Sequence, residues 1–387
     1  MKILYHHRTA SKDGQAVHIE EMIGALRALG HEVLVVAPEV AEAGKMGGGV
    51  GWVHRLRSAL PSAVYELMEL AYSVIAYRRL ASAVRVFRPD VIYERYNLFL
   101  LAGLAAKHRF GIPLLLEVNA PLVHERMQHS GGLAMPWLGR WAEGKVWRGA
   151  DVVLPVTQVL ADMVAAYGVP PARLHVIPNG INESHFAQAP SPLAAKAAHG
   201  LDGCCVLGFT GFVREWHGVD RVIRWMATAS APGNAHLVIV GDGPVRADLA
   251  ALADSLGLRE RVTFTGVIHR DRVPEWVASF DIALQPAVVP YASPLKLMEY
   301  LAMGKAIVAP TTPNLLEVLT DDLNAAMFDA NDSTGLESAL TRLCADENLR
   351  IRLGEGARAT IDRLELTWLG NARRVVRLAN TLASARS

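Results

Sequence analysis

Residues 204–220 read CCVLGFTGFVREWHGVD. A short apolar run stops at Gly211, a polar turn follows, and Gly218 stands where a second hydrophobic pattern begins. That is a strand, a turn and the start of a helix. Arg214 and His217 are three apart in the turn, close to the positive end of the expected helix. An anion there would meet guanidinium donors, an imidazole and free backbone amides. The plainer reading is a turn with surface charges, and the turn alone does not choose between the two.

Outward from this stretch the same alternation runs along the chain. KILYHH is followed by a helix over 16–29, then HEVLVVAP, a long helical region 59–87, and DVIYERY. A helix over 98–109 leads to IPLLLEVN, a helix to about 149, DVVLPV, a helix at 157–167, and LHVIPNG. The chain loosens at 181–202, rich in Ala, Ser and Pro, and a second series follows: CCVLGFT, HLVIVGDGP, RVTFTG, DIALQP, KAIVAP. Short apolar strands separated by helices imply parallel sheets. The expected fold class is α/β, with two doubly wound parallel-sheet domains, 1–182 and 183–366.

Composition agrees with that size. The chain has 387 residues, 51% hydrophobic and 20% charged, which suits two soluble domains. Net charge is +1, so a general nucleic-acid role is not indicated. Residues 1–180 hold 19 Lys/Arg against 15 Asp/Glu, and the rest hold 20 against 23, so the halves are +4 and −3. The excess gathers at Arg55, Arg57, Arg78, Arg79, Arg85 and Arg88. A solvated helix face explains it, and so does an anionic surface or substrate. Three cysteines, two of them adjacent, make neither a disulfide framework nor a metal spacing. The opening MKILYHHRTA runs straight into a strand, so no signal peptide is expected and a cytoplasmic setting fits. The apolar stretch 58–77 is interrupted by Glu66 and Glu69 and reads as an amphipathic helix.

Ligands of open parallel sheets bind beyond the carboxyl ends of the strands, so the loops there carry the candidates. The first loop is 6–19, where Asp13-Gly14 lets backbone approach a ligand. It is not GxGxxG, which removes the dinucleotide fingerprint and disfavours a nicotinamide dehydrogenase. PYASPLKLMEYLAMGKAIVAP (290–310) starts a helix at Pro294, with Ser293 placed to cap it. Lys296 and Glu299 share a face near its start. A lysine there suits phosphate, and a carboxylate one turn on suits a vicinal diol such as ribose. LLLEVNAPLVHER (114–126) ends a buried strand in Glu117, Asn119, His124 and Glu125, which either bind or satisfy loop amides. In VIYERYN (91–97), Glu94 and Arg95 could pair only with each other. There is no GxxxxGK[ST], GxSxG, HExxH or Asp-x-Asp, and the 14 histidines are scattered, so no metal is expected.

Taken in order, GQAVHIEEMIGALRALGHEVLVV (14–36), HVIPNGIN (175–182), GFVREWHGVD (211–220), IVGDGP (239–244) and SPLKLMEYLAMGKAIVA (293–309) resemble glycosyltransferase family 4. The likeness covers essentially the whole chain and is similar to the bacterial branch with LEVNAP and a W-H-G turn. It implies the GT-B architecture: two facing Rossmann-like domains, an N-terminal acceptor domain and a C-terminal nucleotide-sugar domain. It also implies a final helix, 367–387, that packs back on the first domain. The activity implied is retaining, metal-independent transfer from a nucleotide-diphosphate sugar, UDP-sugar favoured, to a hydroxyl acceptor. A saccharide or lipid-linked acceptor for surface polysaccharide or glycolipid synthesis follows. Peripheral contact with the inner face of a membrane through the basic first domain also follows.

Residue by residue, the family's lysine in the turn falls on His217 and its arginine on Phe212, with Arg214 two residues away. The second Glu of E-x7-E falls on Glu299, and the first on Tyr291. The resemblance therefore implies Arg214, His217 and Lys296 for the diphosphate and Glu299 for ribose. Gly14, Gly211, Gly218, Gly241, Ser293, Pro294 and Leu295 would line the donor site, with Glu117, Asn119 and His124 at the acceptor. A GT-B sugar-nucleotide epimerase and a non-catalytic nucleotide-sugar-binding subunit are the alternatives.

Overall fold

Strands β1 (Lys2–His6), β2 (Glu32–Val36), β3 (Val91–Arg95), β4 (Leu114–Val118) and β5 (Val152–Pro155) form one sheet, ordered β2-β1-β3-β4-β5, with every pair parallel. In this computed structural model, residues 1–9, 14–38, 61–129 and 131–384 are described. β3 and β4 are buried at every position, which is why they read as apolar runs rather than alternations. Strands β6 (Cys205–Thr210), β7 (Ala235–Val240), β8 (Val262–Gly266), β9 (Ile282–Leu284), β10 (Ala306–Pro310) and β11 (Ala326–Phe328) form the other sheet. Its order is β11-β10-β9-β6-β7-β8, again parallel. Strand order reverses between β1 and β3 in the first sheet and between β6 and β9 in the second, and such reversals are where ligand crevices open.

The chain divides into Met1–Pro178 with Trp368–Ser387, and Asn179–Thr367. The last helix, Trp368–Ser384, belongs to the first unit: the Trp368 ring meets His18 edge-on at 4.7 Å, and Asn371 Nδ2 donates to the Pro178 carbonyl at 2.7 Å.

Several local expectations are corrected. The region up to residue 149 is two helices, Leu122–His129 and Pro136–Gly149. LHVIPNG is extended backbone that bridges β5 at Leu174 rather than a full strand. β11 was not read from the sequence, because AMF is too short to stand out from its polar surroundings. Part of the basic run, including Arg55 and Arg57, and Asp13 of the first loop lie outside the described residues.

The helix Ser62–Phe87 reverses the expected sidedness. Glu66 and Glu69, the two charges that interrupt its apolar run, are buried, while Val64, Leu67, Met68, Val74 and Ile75 are exposed. Glu66 takes the amides of Ala134 and Met135 at 2.6 and 2.9 Å, and Glu69 takes both Nη atoms of Arg126. Burying an acid is tolerated when both oxygens are satisfied. Among the described residues no helix is long and apolar enough to cross a membrane.

Two glycine contacts set the site loops. The loop after β7 passes so close to the loop after β6 that a Cβ on Gly241 would lie 2.2 Å from the Gly211 carbonyl oxygen, and one on Gly243 would lie 1.9 Å from that of Val213. Val213 N in turn donates to Asp242 O at 2.8 Å. Side chains at 241 or 243 would push backbone against backbone, which neither loop can relieve by rotamer change. Gly243→Ala is expected to lower stability by about 1–3 kcal/mol in urea unfolding. The control Gly233→Ala, with open space around it, should shift the midpoint little. Equal midpoints for the two variants would contradict this packing.

Candidate functional site

The second sheet's reversal point gathers the carboxyl end of β6 and the segment after β9. Gly211 follows β6 at φ 115°, a conformation that only glycine adopts easily, and Gly218 turns at φ 67° between the short 3-10 turn Glu215–His217 and the helix Val219–Met226. A Cβ on Gly211 would lie 3.4 Å from Lys296 Cε, and one on Gly218 3.4 Å from the Ala287 Cβ. Lys296 comes from the helix Leu295–Ala302, and its Nζ sits 3.6 Å from the centroid of the Phe209 ring. The ammonium is thus held over an aromatic face beside the turn, an arrangement that is favourable once water is excluded.

Lys296 and Glu299 are half-buried, and burial moves them toward each other in pKa. The cost of charging an amine there pulls Lys296 down to about 7, against a smaller opposing pull from Glu299. The same cost pushes Glu299 up to about 7, partly offset by its hydrogen bond from Thr210 and by Lys296 and Arg270. Thr210 Oγ1 donates to Glu299 Oε2 at 3.2 Å, and Thr210 N donates to the Tyr300 hydroxyl at 2.9 Å. Both groups therefore titrate near pH 7.

His217 does not supply the charge that its place in the turn suggested. Its Nδ1 accepts the backbone N–H of Arg214 at 3.1 Å, which leaves the ring proton on Nε2. Burial, then Lys296 and Arg214, lower its pKa to about 2, so the imidazole is neutral across the working range. The reading of His217 as a cation is corrected: the ring is neutral and held by the Arg214 amide, and the basic group beside Gly211 is Lys296. Arg214 is exposed, its guanidinium over the rings of Phe212 at 4.9 Å and Trp216 at 5.0 Å. Ser293 is also corrected. The position before the helix is Pro294 with no side-chain cap, and Ser293 instead accepts Asn179 N at 3.1 Å on Oγ and Asn179 Nδ2 at 2.5 Å on its carbonyl. Leu295 opens the helix. Tyr291 is buried.

The structure thus brings together Gly211, Gly218, Gly241, His217, Lys296 and Glu299, with Arg214 on the outer edge of the same turn. Phe209, Thr210, Tyr300 and Arg270 are members that sequence reasoning missed. Thr210 and Phe209 could have been found, since both lie in the last two positions of the strand that leads into the turn.

In the first unit, Glu117 lies in a closed network. It accepts the Tyr93 hydroxyl at 2.6 Å and Asn119 Nδ2 at 2.5 Å, pairs with His18 Nε2 at 3.0 Å, and binds Arg95 Nη1. Burial opposes its charge, but His18 and Arg95 outweigh that and hold the carboxyl well below the usual range. Glu94 and Arg95 do not pair with each other: Glu94 Oε2 meets His6 Nδ1 at 2.5 Å while Arg95 goes to Glu117. His124 is exposed on the helix Leu122–His129, and Gly14 is exposed at the first position of the helix Gly14–Ala28. Among the described residues no group of three or more His, Cys, Asp or Glu side chains could hold a metal ion.

Residues 12–185 match the model of Glycosyltransferase Family 4, and 204–346 that of Glycosyl transferases group 1. A D-inositol 3-phosphate glycosyltransferase of Xylanimonas cellulosilytica is 29% identical over 287 residues, 71% of this chain and 68% of that protein. A GDP-mannose-dependent alpha-mannosyltransferase of Mycolicibacterium smegmatis is 25% identical over 362 residues, covering 92% and 90%. Among solved structures, Anabaena Alr3699/HepE in complex with UDP superposes with a TM-score of 0.77 at 18% identity, over 98% of this chain and 100% of that one.

The paired pKa values give a pH dependence. A diphosphate favours the charged lysine, which above pH 7 must first take up a proton; a diol favours the carboxylate, which below pH 7 must first lose one. Affinity for a nucleotide sugar should therefore peak near pH 7 and fall by up to about tenfold per unit on either side. Isothermal titration at pH 5.5 to 8.5 reads it: Lys296→Met should flatten the alkaline limb and Glu299→Gln the acid limb. A flat wild-type profile would count against both assignments.

Proposed function

We propose that this chain, which belongs to the family 4 glycosyltransferases and has the GT-B fold, moves a sugar from a nucleotide-diphosphate donor to a hydroxyl acceptor with retention at the anomeric carbon. The observation that carries the donor side is the cluster of Lys296, Gly211, Thr210 and Glu299 where strand order reverses in the second sheet. A diphosphate seated there would meet Lys296 and the amides of the Gly211–Gly218 turn, with the His217 Nε2–H as a neutral donor and Arg214 reaching in from the edge. Seated phosphate would raise the Lys296 pKa and fix its proton. Glu299, steadied by Thr210, would accept the two ribose hydroxyls.

Little covalent work is asked of the protein. As the bond between the sugar and the diphosphate breaks, negative charge grows on the leaving oxygens, and Lys296 and Arg214 would stabilise it more in the transition state than in the ground state. In front-face transfer the acceptor proton passes to a donor phosphate oxygen, so no side-chain base is required. No metal is needed in this reading, because the cations supply the charge. UDP is the preferred nucleotide, a choice supported by the UDP complex of the Anabaena neighbour. GDP is the competing choice, given the GDP-mannose-dependent relatives. The first unit would take the acceptor, with Asn119 and His124 nearest to it and Glu117 holding Asn119 in place. The exposed apolar face of the helix Ser62–Phe87, together with exposed Trp137 and Trp141, supports peripheral contact with a membrane, which would bring a cytoplasmic protein to a lipid-linked acceptor on the inner face.

Thermal-shift screening with UDP, GDP, ADP and their sugars should show one nucleotide raising the melting temperature. Lys296→Ala should then cut transfer kcat/KM by roughly 10²–10³-fold. Transfer that survives this variant would remove the proposed role. Incubating the preferred donor without acceptor separates an epimerase, which would yield an epimer, from a transferase, which would not.

Membrane contact is read separately. The protein should co-sediment with anionic vesicles at low salt and be released as salt rises. Failure to co-sediment with vesicles at low salt would eliminate the bilayer reading and leave transfer intact.

A further inference from the structure

We infer that the first unit holds an anion subsite, formed by Arg8 and Arg126, for a phosphate-monoester group on the acceptor. The inference deepens the reading that this unit takes the acceptor and rests on it. Arg8 follows the carboxyl end of β1, beside the point where strand order reverses, and Arg126 lies on the helix that follows β4. Both converge on one carboxylate, Glu69 of the helix Ser62–Phe87.

That carboxylate is already committed. Arg126 donates to both of its oxygens, Nη1 to Oε2 at 2.6 Å and Nη2 to Oε1 at 2.9 Å. Arg8 Nη1 is left 3.7 Å from Oε1, outside hydrogen-bond reach, and this buried nitrogen has no acceptor among the described residues. The two arginine side chains are only 21% and 24% exposed, and each guanidinium lies over an aromatic ring, Arg8 on Tyr72 at 4.7 Å and Arg126 on Phe99 at 5.9 Å. Two cations and one anion leave a surplus positive charge in a shielded place.

Among the described residues the neighbouring charged groups do not cancel it. Glu66 spends both oxygens on the amides of Ala134 and Met135, and Glu117 is matched by Arg95 and His18. Glu94 meets His6, and His7 is held neutral, near 4, by burial and by its neighbours His6 and Arg95. Buried charges in folded proteins are ordinarily paired, because an uncompensated one carries a large desolvation cost. A planar guanidinium with a free N–H, at the end of an open parallel sheet, is matched by a phosphate oxygen in direct charge-assisted hydrogen bonding.

The phosphate could belong to a soluble acceptor or to a lipid headgroup, and the two arms of one experiment tell them apart. With UDP at saturation to occupy the donor site, glycerol 3-phosphate and glycerol are titrated calorimetrically; in parallel, co-sedimentation is measured with phosphatidic acid vesicles and phosphatidylcholine vesicles. Binding of the phosphate form alone in either arm is the expected result. Arg8→Gln should weaken it by about tenfold or more. Glu69→Gln, which removes the competing carboxylate, should strengthen it, whereas an ion pair that only holds the fold would give no gain. UDP affinity, measured in a separate titration of each variant, reports that it is folded. Wild-type protein that ignores both phosphate sources, or an Arg8→Gln variant with unchanged affinity, overturns the subsite. Neither result bears on sugar transfer, which is read by the donor assays.

Discussion

The lysine at the head of the helix Leu295–Ala302 is held where charge is expensive. Lys296 lies over the Phe209 ring and against Gly211, and burial brings its pKa to the middle of the physiological range. Its position depends on three features of the backbone. Gly211 must lack a side chain, the β6 and β7 loops must nest through Gly241 and Gly243, and Gly218 must turn left-handed to start the next helix. A cation placed this way is poorly solvated and waits for a counter-ion. Preorganised groups of that kind do not have to be dragged from water when negative charge develops, which is the main source of electrostatic catalysis.

Much of this was legible in the sequence. Parallel sheets buried on both faces leave uninterrupted apolar strands, so ten of the eleven strands could be read from runs such as LLLEV and HLVIV, and the fold class followed from their alternation with helices. Glycines at 211, 218 and 241 marked the turns, and Lys296 and Glu299 marked the helix. What was not legible depends on three dimensions. The state of His217 is set by burial, by a lysine nearly eighty residues on and by an amide three residues away, and the first two are not visible in a local window. The sidedness of the helix Ser62–Phe87 was misleading for a related reason. Its acids looked like the solvent face, yet they are buried because Arg126 and the amides of Ala134 and Met135 satisfy them.

The two units manage buried charge differently at the ends of their strands. In the first, Glu117 is surrounded by Tyr93, Arg95, His18 and Asn119, so a strand end of the kind that often carries chemistry is instead a closed and rigid polar core. Such a network fixes the geometry of everything mounted on it, because each member has only one arrangement that satisfies all the others. Asn119 inherits a defined orientation from Glu117 in this way. Both oxygens of the Glu117 carboxylate are taken by these partners.

That is why the surplus charges matter more than the balanced ones. Arg95 with Glu117 has no reason to seek another partner, since breaking that pair to bind a ligand would strand a buried charge. Arg8 and Lys296 are different. Each is partly buried, Arg8 Nη1 has no hydrogen-bond acceptor among the described residues, Lys296 Nζ lies over the Phe209 ring, and each lies past the carboxyl end of a strand in a sheet whose order reverses there. For these two side chains a ligand anion removes a cost that the fold already carries. Binding energy at such positions comes from relieving desolvation as much as from making a new contact, so affinity should be most sensitive to charge on the ligand and least sensitive to its shape.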